Sequence, residues 1–183
     1  MLFRSRRYRR IRLRIDPGAG FRTILDTLEE LGLPDMTCKA DHVKYAVLEM
    51  INNALRAHRM ARCSDPIDVV FERAEPVLRV RIRDRGPGFD PRTLPFSLKS
   101  DPYAIDLNAE VFQEYRRRNN YQRFGMGLPL AMRTFDSFEL AFIDEAGREV
   151  PWEAWDSGRV RGTAITVTKA LLEEGPEGER RHG

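Results

Sequence analysis

Between Tyr8 and Ile15 the apolar residues Ile11, Leu13 and Ile15 alternate with Arg10, Arg12 and Arg14. A period of two belongs to a strand with one face on a core and the other in water. Asp16-Pro17-Gly18-Ala19-Gly20 breaks it, and Phe21, Ile24, Leu25, Leu28 and Leu31 then recur at helical spacing until Gly32 and Pro34. A longer helix follows the polar stretch Thr37 to Asp41. Its apolar stripe of Val43, Val47, Met50, Ile51, Ala54 and Leu55 carries it to about Arg59. Ser64-Asp65-Pro66 is a turn, and Ile67 to Arg73 is a strand joined through Glu75-Pro76 to a second one, the two forming a hairpin. That second strand sets Leu78, Val80 and Ile82 against Arg79, Arg81 and Arg83, and it runs straight into Asp84-Arg85-Gly86-Pro87-Gly88.

Beyond Phe89 the pattern loosens through Pro91, Pro95 and Pro102, with only a short helix in prospect around Leu107 to Arg118. Loops of this length in compact domains are usually functional or mobile, so residues 89–124 read as a lid. Phe124-Gly125-Met126-Gly127 closes it and opens a helix from Leu128 to Phe135. Phe138 to Ile143 and Arg161 to Thr168 supply two more strands, with Glu145-Ala146-Gly147 as a turn and Trp152 to Gly158 as a loop between them. The predicted order is strand, helix, helix, hairpin, lid, helix, two strands. At 183 residues with 42% hydrophobic content, one domain over residues 1–172 is expected, followed by a frayed tail at 173–183.

Charge refines this picture only locally. Thirty-one Lys and Arg against 28 Asp and Glu leave a net +3, too small an excess to argue for nucleic acid. Arg4, Arg6, Arg7, Arg9, Arg10, Arg12 and Arg14 do crowd the amino end. About half of them alternate within a strand, where they solvate its open face, so nucleic acid is not expected as a partner. Cys38 and Cys63 lie in no metal-ligand spacing and read as reduced thiols. No apolar run approaches bilayer length, so a cytoplasmic protein without membrane contact is expected.

Three stretches carry candidate chemistry. Glu49 and Asn53 sit four residues apart on the long helix, so both project from one face and together offer oxygen to a hard cation or a water. Asp84 ends a strand, and Gly86 and Gly88 after it let backbone turn sharply beside a fixed acceptor. Gly125 and Gly127 precede a helix whose free amides suit phosphate. Each has a plainer reading alone: a solvated helix face, an Asp-Gly turn, a glycine hinge.

Together with Gly162-Thr163 in the last strand, these motifs occur in an order that resembles the GHKL or Bergerat-fold ATPases, over about Tyr8 to Leu172. The resemblance implies a two-layer α/β sandwich: a mixed, mostly antiparallel sheet with helices on one face, binding ATP and Mg2+. It implies that Asn53 helps to bind Mg2+, that Asp84 accepts the adenine amino group and that Thr163 supports adenine through water. Gly86 and Gly88 form the adenine-side turn, and Gly125, Gly127 and Leu128 place amides near the phosphates. In the same likeness Arg56, where relatives often carry lysine, adds charge there, and Glu49 polarises the attacking hydroxyl or water as general base or acts through the metal. Pro129 is a departure, since it removes one amide donor.

His42, His58 and His182 lie in no phosphoacceptor hairpin, and a chain of this length is expected to hold no transducer domain. The chain is therefore most similar to the anti-sigma-factor serine kinases. That likeness implies a protein serine/threonine kinase acting on a regulatory partner, a sigma factor or an antagonist of that type. The alternative is a nucleotide-gated module that sequesters such a partner with little turnover. Dimers are common in that subfamily, so a homodimer is among the expected states.

Overall fold

The computed structural model describes residues 9–118, 127–156 and 158–172. Gly125, the end of the expected lid and the expected tail lie outside the described residues. In chain order the elements are β1 (Arg10–Ile15), α1 (Phe21–Glu29), α2 (Ala40–Ala61), β2 (Ile67–Ala74), β3 (Val77–Arg83), α3 (Glu110–Arg118), α4 (Gly127–Thr134), β4 (Ser137–Ile143), β5 (Glu149–Pro151) and β6 (Gly162–Ala170).

The strands form one sheet in the order β1-β2-β3-β6-β4-β5, and every neighbouring pair is antiparallel. The last strand is thus inserted between β3 and β4, and this insertion positions the site. The period of two holds in β1, β2 and β3, whereas the first four residues of β6 are all buried. Val69, Phe71, Leu78, Val80, Ile82, Ile165, Val167 and Phe142 enter one core with Ile24 and Leu28 of α1, the stripe of α2, and Leu128 and Ala131 of α4. Helices cover this face and form the second layer, as expected for an α/β sandwich.

Helix α2 is the spine of that layer. Val43, Val47, Met50, Ile51, Ala54, Leu55 and His58 recur every three or four residues and are all buried. Asp41 in its first turn and Arg59 in its last complement the helix dipole in sign. It ends in Arg62 at φ 52°, a left-handed residue whose amide closes on the His58 and Arg59 carbonyls.

The other face of the sheet is charged. Arg12 and Arg14 approach Asp68, Arg79 pairs with Glu72, and Arg81 pairs with Glu149. Arg83 reaches the Gly147 carbonyl at 3.1 Å.

Two features depart from the sequence reading. Strand β5 was not expected. Three residues are too few to show alternation, and Pro151 is tolerated because the strand lies at the sheet edge. The described part of the lid is also more ordered than its composition suggests. Asp90 and Asp101 each accept the amide two residues on, from Arg92 and Tyr103, and so cap 3-10 turns at Pro91–Thr93 and Pro102–Ala104. Phe96 stacks on Phe112 of α3 at 6.0 Å, while Lys99 and Arg92 lie over Trp152 and Trp155. Arg133 of α4 donates to the Pro102 and Ile105 carbonyls at 2.9 and 2.6 Å, and the Tyr103 hydroxyl donates back to the Arg133 carbonyl at 3.1 Å.

The left-handed cap makes a stability prediction. A side chain at positive φ costs about 1–2 kcal/mol, partly offset in a glycine replacement by the greater freedom of the unfolded chain. Arg62→Gly should therefore stabilise the protein by about 0.5–1 kcal/mol, seen as a higher denaturant midpoint at unchanged slope.

Candidate functional site

The alternation of β3 that buries Val80 and Ile82 carries on to Asp84, whose carboxylate is consequently turned inward and only 6% exposed. Its Oδ1 accepts the Gly86 amide at 2.7 Å, and the Asp84 amide donates to the Thr163 carbonyl at 2.9 Å. Burial pushes the carboxyl up to about 6, against hydrogen bonds from Gly86 and Thr163 that pull it down.

The glycines around Asp84 are there for close approach. A Cβ on Gly162 would stand 2.3 Å from the Asp84 carbonyl oxygen, and one on Gly86 would stand 2.6 Å from the Ala57 Cβ of α2. Gly88 has φ +66° and leaves no room for a Cβ beside Val160. The turn after β3 is thus wedged between α2 and the start of β6.

At the other end of the cleft, Glu49 and Asn53 share one face of α2, as their spacing predicts. Gly127 at the head of α4 sits directly on them. A Cβ there would lie 3.0 Å from Asn53 Nδ2 and 3.4 Å from Glu49 Oε2. One turn further along α2, Arg56 Nη1 donates to Asn53 Oδ1 at 3.2 Å.

Glu49, Asn53, Arg56, Asp84, Gly88, Gly127, Leu128 and Thr163 all line this one cleft, with Met50, Ala54, Ile82 and Ile165 as its apolar wall. Gly86 lies behind the turn, against α2, and contributes by seating it. Sequence reasoning had assigned no role to several neighbours. Tyr115 of α3 and Leu94 of the lid line the cleft, although no local pattern points to either. Gly162 had been noted only as Thr163's partner in a motif, yet it makes the tightest backbone approach. His58 enters the sequence reading only as a histidine in no phosphoacceptor hairpin.

The histidine kinase-like ATPase domain family matches residues 20–152. The chain belongs to that family. The matched span of this histidine kinase-like ATPase domain holds Glu49, Asn53, Arg56, Asp84, Gly127 and Leu128, whereas Thr163 lies beyond it and joins the cleft only through the placement of β6. No curated protein matches the chain. Among the described residues, no helix is long and apolar enough to cross a membrane.

Family membership implies ATP as ligand, usually with Mg2+, and the donor set of the cleft fits both. A buried carboxylate at one end is an acceptor for an exocyclic amino group. The other end offers an amide oxygen and a carboxylate around a glycine cradle. Among the described residues no three His, Cys, Asp or Glu side chains cluster as a metal cage. Such a sparse set suits Mg2+, which keeps waters and phosphate oxygens and takes only one or two protein ligands. Asn53 Oδ1 can serve a cation once Arg56 swings away, which would leave a guanidinium beside the phosphates.

The raised Asp84 value has a measurable consequence. Its folded value of about 6 exceeds the ordinary 3.8, so between these pH values the folded chain holds the proton more tightly than the unfolded one. Stability contributed by this group is therefore full below 3.8 and is lost as pH rises from there through about 6. The ionised carboxylate costs the empty fold on the order of 3 kcal/mol at neutral pH. Asp84→Asn keeps the acceptor for Gly86 and removes the charge. Its thermal midpoint should exceed that of the unmodified protein at pH 7.5, with the gain shrinking towards pH 4.

Proposed function

We propose that the chain binds ATP with Mg2+ in this cleft and transfers phosphate to a serine or threonine of a regulatory protein, in the manner of the anti-sigma-factor kinases. What supports the reading is one juxtaposition. Glu49, Asn53 and the Gly127 cradle meet at one end of a cleft whose other end presents the buried acceptor Asp84 beside Thr163.

Each residue then has a distinct role. Asp84 takes the adenine amino hydrogen, with Thr163 supporting the base through water. The turn of Gly86 and Gly88 lets backbone approach the ring. Gly127 and Leu128 would present amides to the phosphates, with Gly125 assigned beside them by the family likeness alone, and Asn53 would ligate Mg2+. The cation, when bound, neutralises phosphate charge and aligns the transferring group. Arg56 adds a positive charge on the same side, and Glu49 accepts the proton of the attacking hydroxyl. The hydroxyl oxygen bonds to the γ-phosphorus as the bond to the β–γ bridging oxygen breaks, leaving ADP and a phosphoprotein. The partner in this reading is a sigma factor or an antagonist of that type.

One observation favours a second reading, a nucleotide-gated module that sequesters its partner with little turnover. Pro129 is buried in the first turn of α4 and withholds an amide from the phosphate end. In that case ATP would change partner affinity without phosphate transfer, which titration of the partner with and without ATP reads directly.

Two substitutions test the assignment. Asp84→Asn should weaken binding of a fluorescent ATP analogue by roughly ten- to a hundredfold, since a charge-assisted hydrogen bond of about 1.5–3 kcal/mol is lost. Unchanged affinity in the folded variant removes Asp84 as the adenine reader. Glu49→Ala should keep nucleotide binding and abolish transfer of labelled γ-phosphate to the partner; undiminished transfer takes Glu49 out of the mechanism.

A further inference from the structure

We infer that His58 is the positioning residue of the Asp84-Arg85-Gly86 turn: its imidazole Nε2 holds the Arg85 backbone amide and thereby aims the Asp84 carboxylate into the cleft. The inference rests on the reading of Asp84 as the adenine acceptor and adds a residue that acts only through the turn.

His58 is fully buried near the end of α2, in line with Ala54 on the apolar stripe. The Arg85 amide donates to its Nε2 at 2.8 Å. A backbone N–H can only donate, so Nε2 must carry its lone pair, and the neutral ring keeps its proton on Nδ1. Nδ1 is buried and meets no acceptor in full hydrogen-bonding geometry, the Asp65 carbonyl being only a weak partner of the ring. Burial pulls the His58 imidazole below its ordinary value, against the Asp65 carbonyl and the Asp65 charge, which favour the proton. Asp65 is itself engaged from outside by Arg85 at 3.5 Å and by Cys63 Sγ at 3.9 Å.

The three amides of the turn are therefore each committed to a different anchor. Asp84 donates to Thr163 of β6, Arg85 to His58 of α2, and Gly86 to the Asp84 carboxylate itself. The first bond fixes the turn to the sheet, and the third fixes the carboxylate to the turn. The second ties both to the helix that carries Glu49 and Asn53. Through His58, one rigid element sets the position of the base-reading end relative to the phosphate end. A plain core histidine would need neither a specific tautomer nor a bond to this amide.

The test compares ATP with inosine triphosphate, which lacks the amino group, on the full-length chain at pH 7.5. His58→Phe removes the acceptor, and His58→Gln offers an amide oxygen in its place. In the expected result His58→Phe lowers the preference for ATP over inosine triphosphate by about tenfold and leaves inosine triphosphate affinity nearly unchanged, while His58→Gln retains the preference. Equal loss for both nucleotides, or no loss, overturns the positioning role.

Should His58→Phe fail to fold, imidazole 15N spectra of the unmodified protein decide. A bare Nε2 and a protonated Nδ1 are expected, and a proton on Nε2 overturns the inference. An unmodified protein that binds both nucleotides equally refutes Asp84 as the adenine reader and the aiming role with it. The spectra still report the bond from Arg85 to His58 separately.

Discussion

The contact on which the rest depends is the approach of Gly162 to the carbonyl of Asp84, too close for any side chain. It exists because the last strand slots between β3 and β4, beside a strand that the chain completed some eighty residues earlier. With β6 in that slot, the Asp84 amide is paired, its carboxylate is shielded from water and Thr163 is brought alongside. The same wedge presses the turn against Ala57 of α2. A buried carboxylate with incomplete compensation is a liability to an empty fold. Its retention at the mouth of a cleft is the kind of local cost that a ligand-binding site keeps and the surrounding core offsets.

The uncovered side of the sheet obeys a different logic. Ala164 and Ala141 stand in register beside Arg83, so its long side chain can extend across two strands to the turn after β4. Arg12, Arg14, Arg79 and Arg81 find carboxylates on neighbouring strands or on β5. Exposed pairs of this sort contribute little to stability, about 0–1 kcal/mol each. Their effect is on the character of the surface: apolar stems cover the sheet and charged heads remain in water. Arg12 and Arg14, which belong to the basic cluster along the sequence, are thus matched locally by Asp68.

Local sequence carried the long elements well, because a period of two or of 3.6 is printed directly in residues such as Ile11, Leu13 and Ile15 or Val43, Val47 and Met50. The paired positions of Glu49 and Asn53, and the end of β3 at Asp84, were legible for the same reason. The insertion of β6 was not, since strand order is decided by contacts between distant segments that no window contains. Strand β5 is shorter than the pattern that would announce it. The Asp-Pro pairs at 90–91 and 101–102 did hold a readable signal, an aspartate capping the turn its proline begins, although the loosened pattern around the prolines reads only as a lid. His58 left no trace at all: on an apolar stripe a histidine with a backbone partner looks the same as one without.

The clamp built by Arg133 joins the helix headed by Gly127 to the stretch 102–105 through three hydrogen bonds made in both directions. Neither piece can shift without the other unless all three break. Tyr103, whose ring is 75% exposed, rides on that stretch. The buried glycine and an aromatic group standing in solvent are therefore held in one fixed relation through the body of α4.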